Sequence, residues 1–211
     1  MNNFIVFEGI CCSGKTTTCQ KLSEKINELK LKPVYNHGAM TYTEIGKKFK
    51  KILGVKDNPI TVSYFLTDLI INTQEVIKPL LEDSNTIVLQ DRYYDAITTY
   101  INAYGKYSNS DYNIYDIPNA LMQKDLLVKP SMEVFCIPPF EIIKERMEKS
   151  KDSPVHDYYR KNPKFLRIVY DELENKAKEY DNSIIIDTSS DISVNKGIEK
   201  ILKYIQQDKK I

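Results

Sequence analysis

Phe4-Ile5-Val6-Phe7-Glu8-Gly9-Ile10-Cys11-Cys12-Ser13-Gly14-Lys15-Thr16-Thr17-Thr18 is the stretch that decides the fold. Four apolar residues in a row read as a strand buried on both faces. A glycine-bounded turn follows, and then the start of a helix. Gly9, Gly14, Lys15 and Thr16 fit G-x-x-x-x-G-K-[ST], the phosphate-binding loop. Phosphate needs inward-facing backbone N–H groups, and the glycines permit that conformation. The helix that follows aims its unpaired N–H groups and positive dipole end at the anion. Gly9, Ile10, Cys11, Cys12, Ser13, Gly14, Lys15, Thr16 and Thr17 are therefore expected to cradle the phosphates of a nucleoside triphosphate. Lys15 is placed for the β- and γ-phosphates and Thr16 for Mg²⁺, which prefers oxygen ligands.

The rest of the chain supplies strands and helices in alternation. Residues 15–31 carry Leu22, Ile26 and Leu29 at helical spacing. Pro33-Val34-Tyr35-Asn36 reads as a short strand and 37–42 as a loop. Thr43 is placed to cap a helix reaching Leu53. Residues 60–82 form a long helical pattern in which Pro79 imposes a kink or marks the last turns. Thr86 to Leu89 is a strand ending at Gln90-Asp91-Arg92. A helix follows over 94–104, then a polar Tyr/Asn/Ser-rich loop over 105–116 and a short helix over 118–127. Further strands fall at 132–137 and 184–187, and further helices at 138–147, 164–180 and 191–207. Residues 149–163 are polar and contain Pro154 and Pro163, which suits a lid. Alternation of this kind implies a mainly parallel sheet covered on both faces, with ligands at the carboxyl ends of the strands.

Length and composition narrow the classes. The 211 residues suffice for a single domain spanning 1–211 with a small lid. A net charge of +1 gives no basic excess of the kind that marks a nucleic-acid binder. No apolar run approaches a membrane span. Cys11, Cys12, Cys19 and Cys136 form no C-x-x-C pair or disulfide framework. With no signal segment ahead of the first strand, the expected location is the cytoplasm.

Asp91-Arg92 at the end of a buried strand is the second motif. A guanidinium fork suits a phosphate, and the adjacent carboxylate can orient it or hold Mg²⁺. Lys15, Arg92 and Asp91 are the expected catalytic residues, with Thr16 and Asp91 at the metal.

Taken together, these motifs resemble the thymidylate kinases, within the P-loop nucleoside monophosphate kinases. Phe7-Glu8-Gly9-Ile10 through Ser13-Gly14-Lys15-Thr16-Thr17 is similar to that family's phosphate loop. Glu75 to Leu80 is similar to its helix before the Asp-Arg strand. Asp91-Arg92-Tyr93, with Tyr100 eight residues after Arg92, resembles its D-R-Y motif. Asn162 to Leu166, with Tyr170, resembles the helix after its lid. The resemblance implies an α/β, three-layer P-loop kinase fold: a five-stranded parallel sheet, helices on both faces and a small lid over ATP. It implies ATP and Mg²⁺ as donor and cofactor, dTMP as acceptor, dTDP as product, and a homodimer. Carried over by position, Arg92 would grip the acceptor's phosphate, Phe65 would stack on its base and Tyr100 would pack under its sugar. Arg146, Lys149, Lys151 and Arg160 would be the cations near the lid.

The chain departs from the family pattern on the acceptor side. Cys11 stands where a carboxylate is usual, and Cys12 where a small residue is usual. Leu69 replaces an arginine that reads the thymine edge, and Ala96 and Ile97 replace polar residues. The loop reading His37-Gly38-Ala39-Met40 lacks the usual acidic and arginine pair. Two alternatives stay open from the residues alone: a deoxynucleoside kinase, which needs a general base near a sugar hydroxyl, and an ATP-binding relative without transfer activity. A GTPase switch is disfavoured, because no D-x-x-G follows a strand.

Overall fold

The structure is a computed structural model that describes residues 3–38, 43–44, 46–48, 59–109, 116–150, 154–181 and 183–209. Among the described residues five strands form one parallel sheet: β1 (Phe4–Glu8), β2 (Lys32–His37), β3 (Thr86–Asp91), β4 (Met132–Cys136) and β5 (Ser183–Ile186). Their order is β2-β3-β1-β4-β5. Every residue of β1, β3 and β4 is buried, the polar Glu8, Gln90, Asp91 and Glu133 included, while β2 and β5 form the partly exposed edges.

Side-chain alternation assigns the two faces. Ile5 and Phe7 join Leu89 and Val134 against Leu22 and Ile26 of α1 (Lys15–Glu28) and Ile198 and Ile201 of α9 (Asp191–Lys209). Phe4, Val6 and Val88 face the other way. They pack with Leu69 of α2 (Pro59–Asn72) and with Tyr93, Ile97 and Ile101 around α4 (Tyr94–Ser108). A third cluster centres on Phe165, with α6 (Phe140–Lys149), α7 (Pro154–Lys161) and α8 (Pro163–Lys178) around it. The remaining helices are α3 (Lys78–Leu81) and α5 (Asp116–Gln123).

Several boundaries differ from the sequence expectation. The first helix ends at Glu28 rather than residue 31, because Lys30 turns left-handed (φ 59°) and the Lys30 and Leu31 N–H groups close back on Asn27 and Ile26. The pattern over 60–82 keeps its helical course past Pro79 by widening into a π-helical segment at Thr73–Ile77. That register accommodates a proline, whose ring clashes with a regular α-turn. Gly105 to Ser108 belongs to α4 and not to a loop. Gly105 is buried, and Tyr104 and Tyr107 place their rings 6.2 and 5.4 Å from Phe165. The other two tyrosines of that stretch, Tyr112 and Tyr115, lie outside the described residues. Pro154 and Pro163 open α7 and α8 instead of interrupting a polar segment. Tyr159 of α7 stacks on Phe165 at 5.9 Å and is 1% exposed, so α7 is packed down and not free. Thr43 does act as a cap: its Oγ1 accepts the Gly46 N–H at 2.8 Å. The rest of the helix expected to Leu53 falls mainly outside the described residues.

A buried acidic pair lies beneath α4. Glu133 of β4 accepts the Tyr94 hydroxyl at 2.9 Å, and Asp95 accepts the Tyr180 hydroxyl at 2.7 Å. Burial first, and the neighbouring Asp95 second, push the Glu133 carboxyl up to about 9. The folded chain therefore keeps a proton that the unfolded chain releases in the ordinary carboxylate range. This stabilisation is full below that range and is lost as pH rises through about 9. Glu133→Gln should flatten the decline in urea-unfolding stability between pH 5 and 9.5; an equally steep decline in the variant would contradict the assignment.

Candidate active site

The parallel pairing of β1 with β3 brings the two sequence motifs together. Phe7 lies opposite Asp91, and the ladder runs one residue further, with the Arg92 N–H on the Phe7 carbonyl at 2.9 Å. The phosphate loop and Asp91-Arg92 thus leave neighbouring strands at one level.

Both glycines of the loop are sterically required. A Cβ on Gly9 would stand 2.4 Å from Ser13 Oγ, and Gly14 enters α1 at φ 86°. Ile10 is 1% exposed, so its side chain belongs to the core and only its backbone serves the loop. Lys15 sits across the loop, donating to the carbonyls of Gly9 (2.8 Å) and Ile10 (2.9 Å). Burial and the nearby Arg92 hold its pKa below the ordinary lysine value. A cleft of about 500 Å³ opens beside the loop. It is lined by residues 12–18 and by Lys21, Arg146, Thr188, Asp191 and Val194. Arg146 braces one wall, with Nη2 on the Thr188 carbonyl at 2.6 Å, while the Thr188 hydroxyl donates to Ser13 O at 2.5 Å.

Asp91 collects two donors on Oδ2: the Tyr35 hydroxyl at 2.8 Å and the Thr16 hydroxyl at 3.2 Å. Its Oδ1 is buried and has no hydrogen-bond partner among the described residues. Burial alone would raise this carboxyl, but Lys15 and Arg92 outweigh it and hold it below the ordinary value, so it is ionised. A hydroxyl, an adjacent carboxylate and a spare buried oxygen are hard oxygen donors, and they fit Mg²⁺.

Arg92 occupies the left-handed region (φ 71°). Its guanidinium lies 5.8 Å from the Tyr100 ring centroid, with Nη2 on Cys11 Sγ at 3.5 Å. Glu8, by contrast, is sealed: it is 0% exposed, and its Oε1 accepts the Tyr93 and Ala96 N–H groups at 2.9 and 3.2 Å. It holds the start of α4 and does not face a ligand, so the general base that a sugar-hydroxyl acceptor requires is not supplied by Glu8.

The sequence-predicted residues divide. Lys15, Thr16, Asp91, Arg92, Tyr100 and the loop converge. Phe65 is half-buried on the α2 face, while Leu69 (2% exposed) packs into the apolar cluster of Phe4 and Val6. Ala96, 5% exposed, is engaged through its N–H to Glu8. Among the lid cations, Arg146 reaches the phosphate loop, with Nη1 on Cys12 O at 3.4 Å. Lys149 pairs with Glu145 at 2.5 Å, and Arg160 bonds Met147 O and Asp157. Lys151 lies outside the described residues.

The family model for thymidylate kinase matches residues 7–198. The chain belongs to the thymidylate kinase family. It is 34% identical to the thymidylate kinase of Sulfurihydrogenibium sp. over 96% of this chain and 98% of that one. It is 29% identical to the probable thymidylate kinase 1 of Saccharolobus solfataricus, covering 99% of each. The crystal structure of thymidylate kinase from Ehrlichia chaffeensis shares its fold, with a TM-score of 0.66 at 21% identity over 96% of this chain and 98% of that one. The chain is thus a P-loop kinase of the nucleoside monophosphate class, with the parallel sheet and flanking helices that the resemblance implied. Among the described residues no helix is long and apolar enough to cross a membrane.

Sequence reasoning missed the supporting residues of this family member. Tyr35 and Asn36 lie next to each other on β2 and so point to opposite faces. Tyr35 goes to Asp91, and Asn36 goes to an amide cluster. Thr188 reaches the loop from 175 positions away. His156 of α7 bonds Ser150 Oγ at 2.7 Å and approaches Cys12 Sγ at 3.9 Å.

The four thiols sit in different electrostatic surroundings. Burial works to raise Cys11, but His156 nearby and the charges of Arg92 and Lys15 outweigh it and bring the thiol down to about 6. Burial raises Cys12, takes Cys136 up to about 12 and raises Cys19 further. The thiolate is the nucleophile. Limiting iodoacetamide at pH 7 should therefore label Cys11 first, as read by peptide mass spectrometry; labelling of Cys19 or Cys136 at the same rate would contradict this geometry.

Proposed function

We propose that this chain transfers the γ-phosphoryl group of ATP to dTMP, giving dTDP. The observation that carries the proposal is the meeting of Lys15 and Thr16 with Asp91 and Arg92 at the ends of two adjacent strands. One cleft then offers two phosphate grips: a loop with a helix N-terminus, and a guanidinium.

The backbone N–H groups of residues 9–17 and the Lys15 ammonium hold the β- and γ-phosphates, with Arg146 and Thr188 closing the wall beside them. Thr16 and Asp91 would hold Mg²⁺, which would supply positive charge to offset the charge of the transferring phosphoryl group. Arg92 grips the acceptor's phosphate, and Tyr100 supports Arg92 through its ring face. Phe65 offers an aromatic surface to the base. Leu69, buried in the core, and Ala96 put no polar reader at the positions where the family pattern has them. An acceptor phosphate is already ionised at neutral pH, so catalysis consists of positioning and charge stabilisation, and the sealed Glu8 is no obstacle. Residues 149–163 serve as the lid, with α7 packed against Phe165, within one domain spanning 1–211. The working form is a cytoplasmic homodimer, in keeping with the family.

A coupled assay with ATP·Mg²⁺ against thymidine, dTMP and the other nucleoside monophosphates tests this directly. The expected result is dTDP formed from dTMP and no turnover of thymidine. Turnover of thymidine alone would make the chain a nucleoside kinase, and ATP binding with no transfer would make it a binding protein. Arg92→Ala should raise KM for dTMP by about 10- to 100-fold, the value of a lost charged phosphate contact. ATP affinity should be unchanged; an equal loss of ATP affinity would move Arg92 to the donor side.

A further inference from the structure

A relay of side-chain amides runs under the Asp-Arg strand and ends in α2. Gln90, 0% exposed, donates Nε2–H to the Arg92 carbonyl at 2.9 Å. A carbonyl only accepts, so this contact fixes which end of Gln90 is nitrogen. Gln90 Oε1 therefore accepts, and its donor is Asn36 Nδ2 at 2.8 Å. The same nitrogen donates to Asn72 Oδ1 at 2.7 Å. Each amide is oriented by the one before it. At the end of the relay Asn72 is forced to turn its NH₂ group away from Asn36. Asn72 is 2% exposed; among the described residues its side chain is bonded only through Oδ1, and its NH₂ keeps a small accessible surface.

An amide donor with little accessible surface and no acceptor is unfavourable. The group is thus shaped to meet an acceptor atom. Its surroundings say where that atom comes from. Asn36 and Gln90 lie at the carboxyl ends of β2 and β3, the side on which open α/β sheets bind ligands. Asn72 follows Phe65 by two helical turns, on the same face of α2. Leu69 and Ala96 carry no polar side-chain group.

We propose that Asn72 is the specificity-determining residue of the acceptor site: its NH₂ donates to the C4 carbonyl of a thymine or uracil base. Cytosine presents an amino group at that position, donor against donor, and is rejected. The inference rests on the acceptor being a pyrimidine nucleotide, as proposed above. It also couples the base to the phosphate grip, since the relay is anchored on the backbone of Arg92.

The test compares kcat/KM for dTMP and dCMP in the unaltered enzyme and in Asn72→Asp, which keeps the acceptor for Asn36 and replaces the donor with a carboxylate. The dTMP-to-dCMP ratio should fall by about 10-fold or more, because a site that hydrogen-bonds its substrate discriminates through that bond. Asn72→Ser, smaller and uncharged, carries the same expectation if the aspartate variant does not fold, as judged by circular dichroism. A ratio unchanged in a folded variant overturns the assignment of Asn72. An unaltered enzyme that does not turn over dTMP overturns the proposed function instead, and the two failures are read from different lanes of the same assay.

Discussion

The parallel ladder between β1 and β3 is the constraint on which the rest depends. It sets Phe7 opposite Asp91 and continues to Arg92. Strands that pair in parallel end on the same side, so a loop leaving one and a motif closing the other share a crevice. Five residues from two segments distant in sequence then act on one another. Thr16 donates to Asp91, Lys15 and Arg92 keep Asp91 ionised, and Arg92 reaches Cys11 in the loop. No single one of these contacts would be strong at a protein surface. Burial raises the stakes of each, because an unpaired charge inside the protein is costly.

The positive φ of Arg92 shows how the site is held. A non-glycine residue in that region is strained, and strain survives only where the surroundings over-determine it. Here the Arg92 N–H is bound to Phe7 and its carbonyl to Gln90, so both sides of the backbone are fixed. The result points the guanidinium back toward the phosphate loop. A rigid backbone thus replaces side-chain freedom at the place where a second phosphate would dock. The sealed Glu8 serves the same purpose from below, by fixing the first turn of α4.

Much of this was legible in the sequence because the signals are local. The phosphate loop is a contiguous motif, and buried parallel strands are continuous apolar runs, so all five strands fall within about two residues of their expected bounds. What escaped was tertiary. Asn36, Asn72 and Gln90 are ordinary polar residues on three separate elements, and nothing in their spacing says that they meet. Leu69, which stands where the family pattern has an acceptor-side arginine, lies in the core, since helical period alone does not say which side chain faces a ligand. Gly105 looked like the start of a loop, yet it lies buried within α4, which runs on to pack its Tyr107 ring against Phe165 of α8. The wide turn before Pro79 likewise depends on packing, with Thr73 bonded both to Leu69 and to Tyr93.

The central claim is that donor and acceptor phosphates occupy one continuous cleft between the loop and Arg92. A bisubstrate analogue, adenosine joined to thymidine through an oligophosphate chain, measures this most directly. Inhibition competitive with both ATP and dTMP is the predicted result. Competition with ATP alone, with dTMP binding undisturbed, would place the two grips in separate sites and contradict the account.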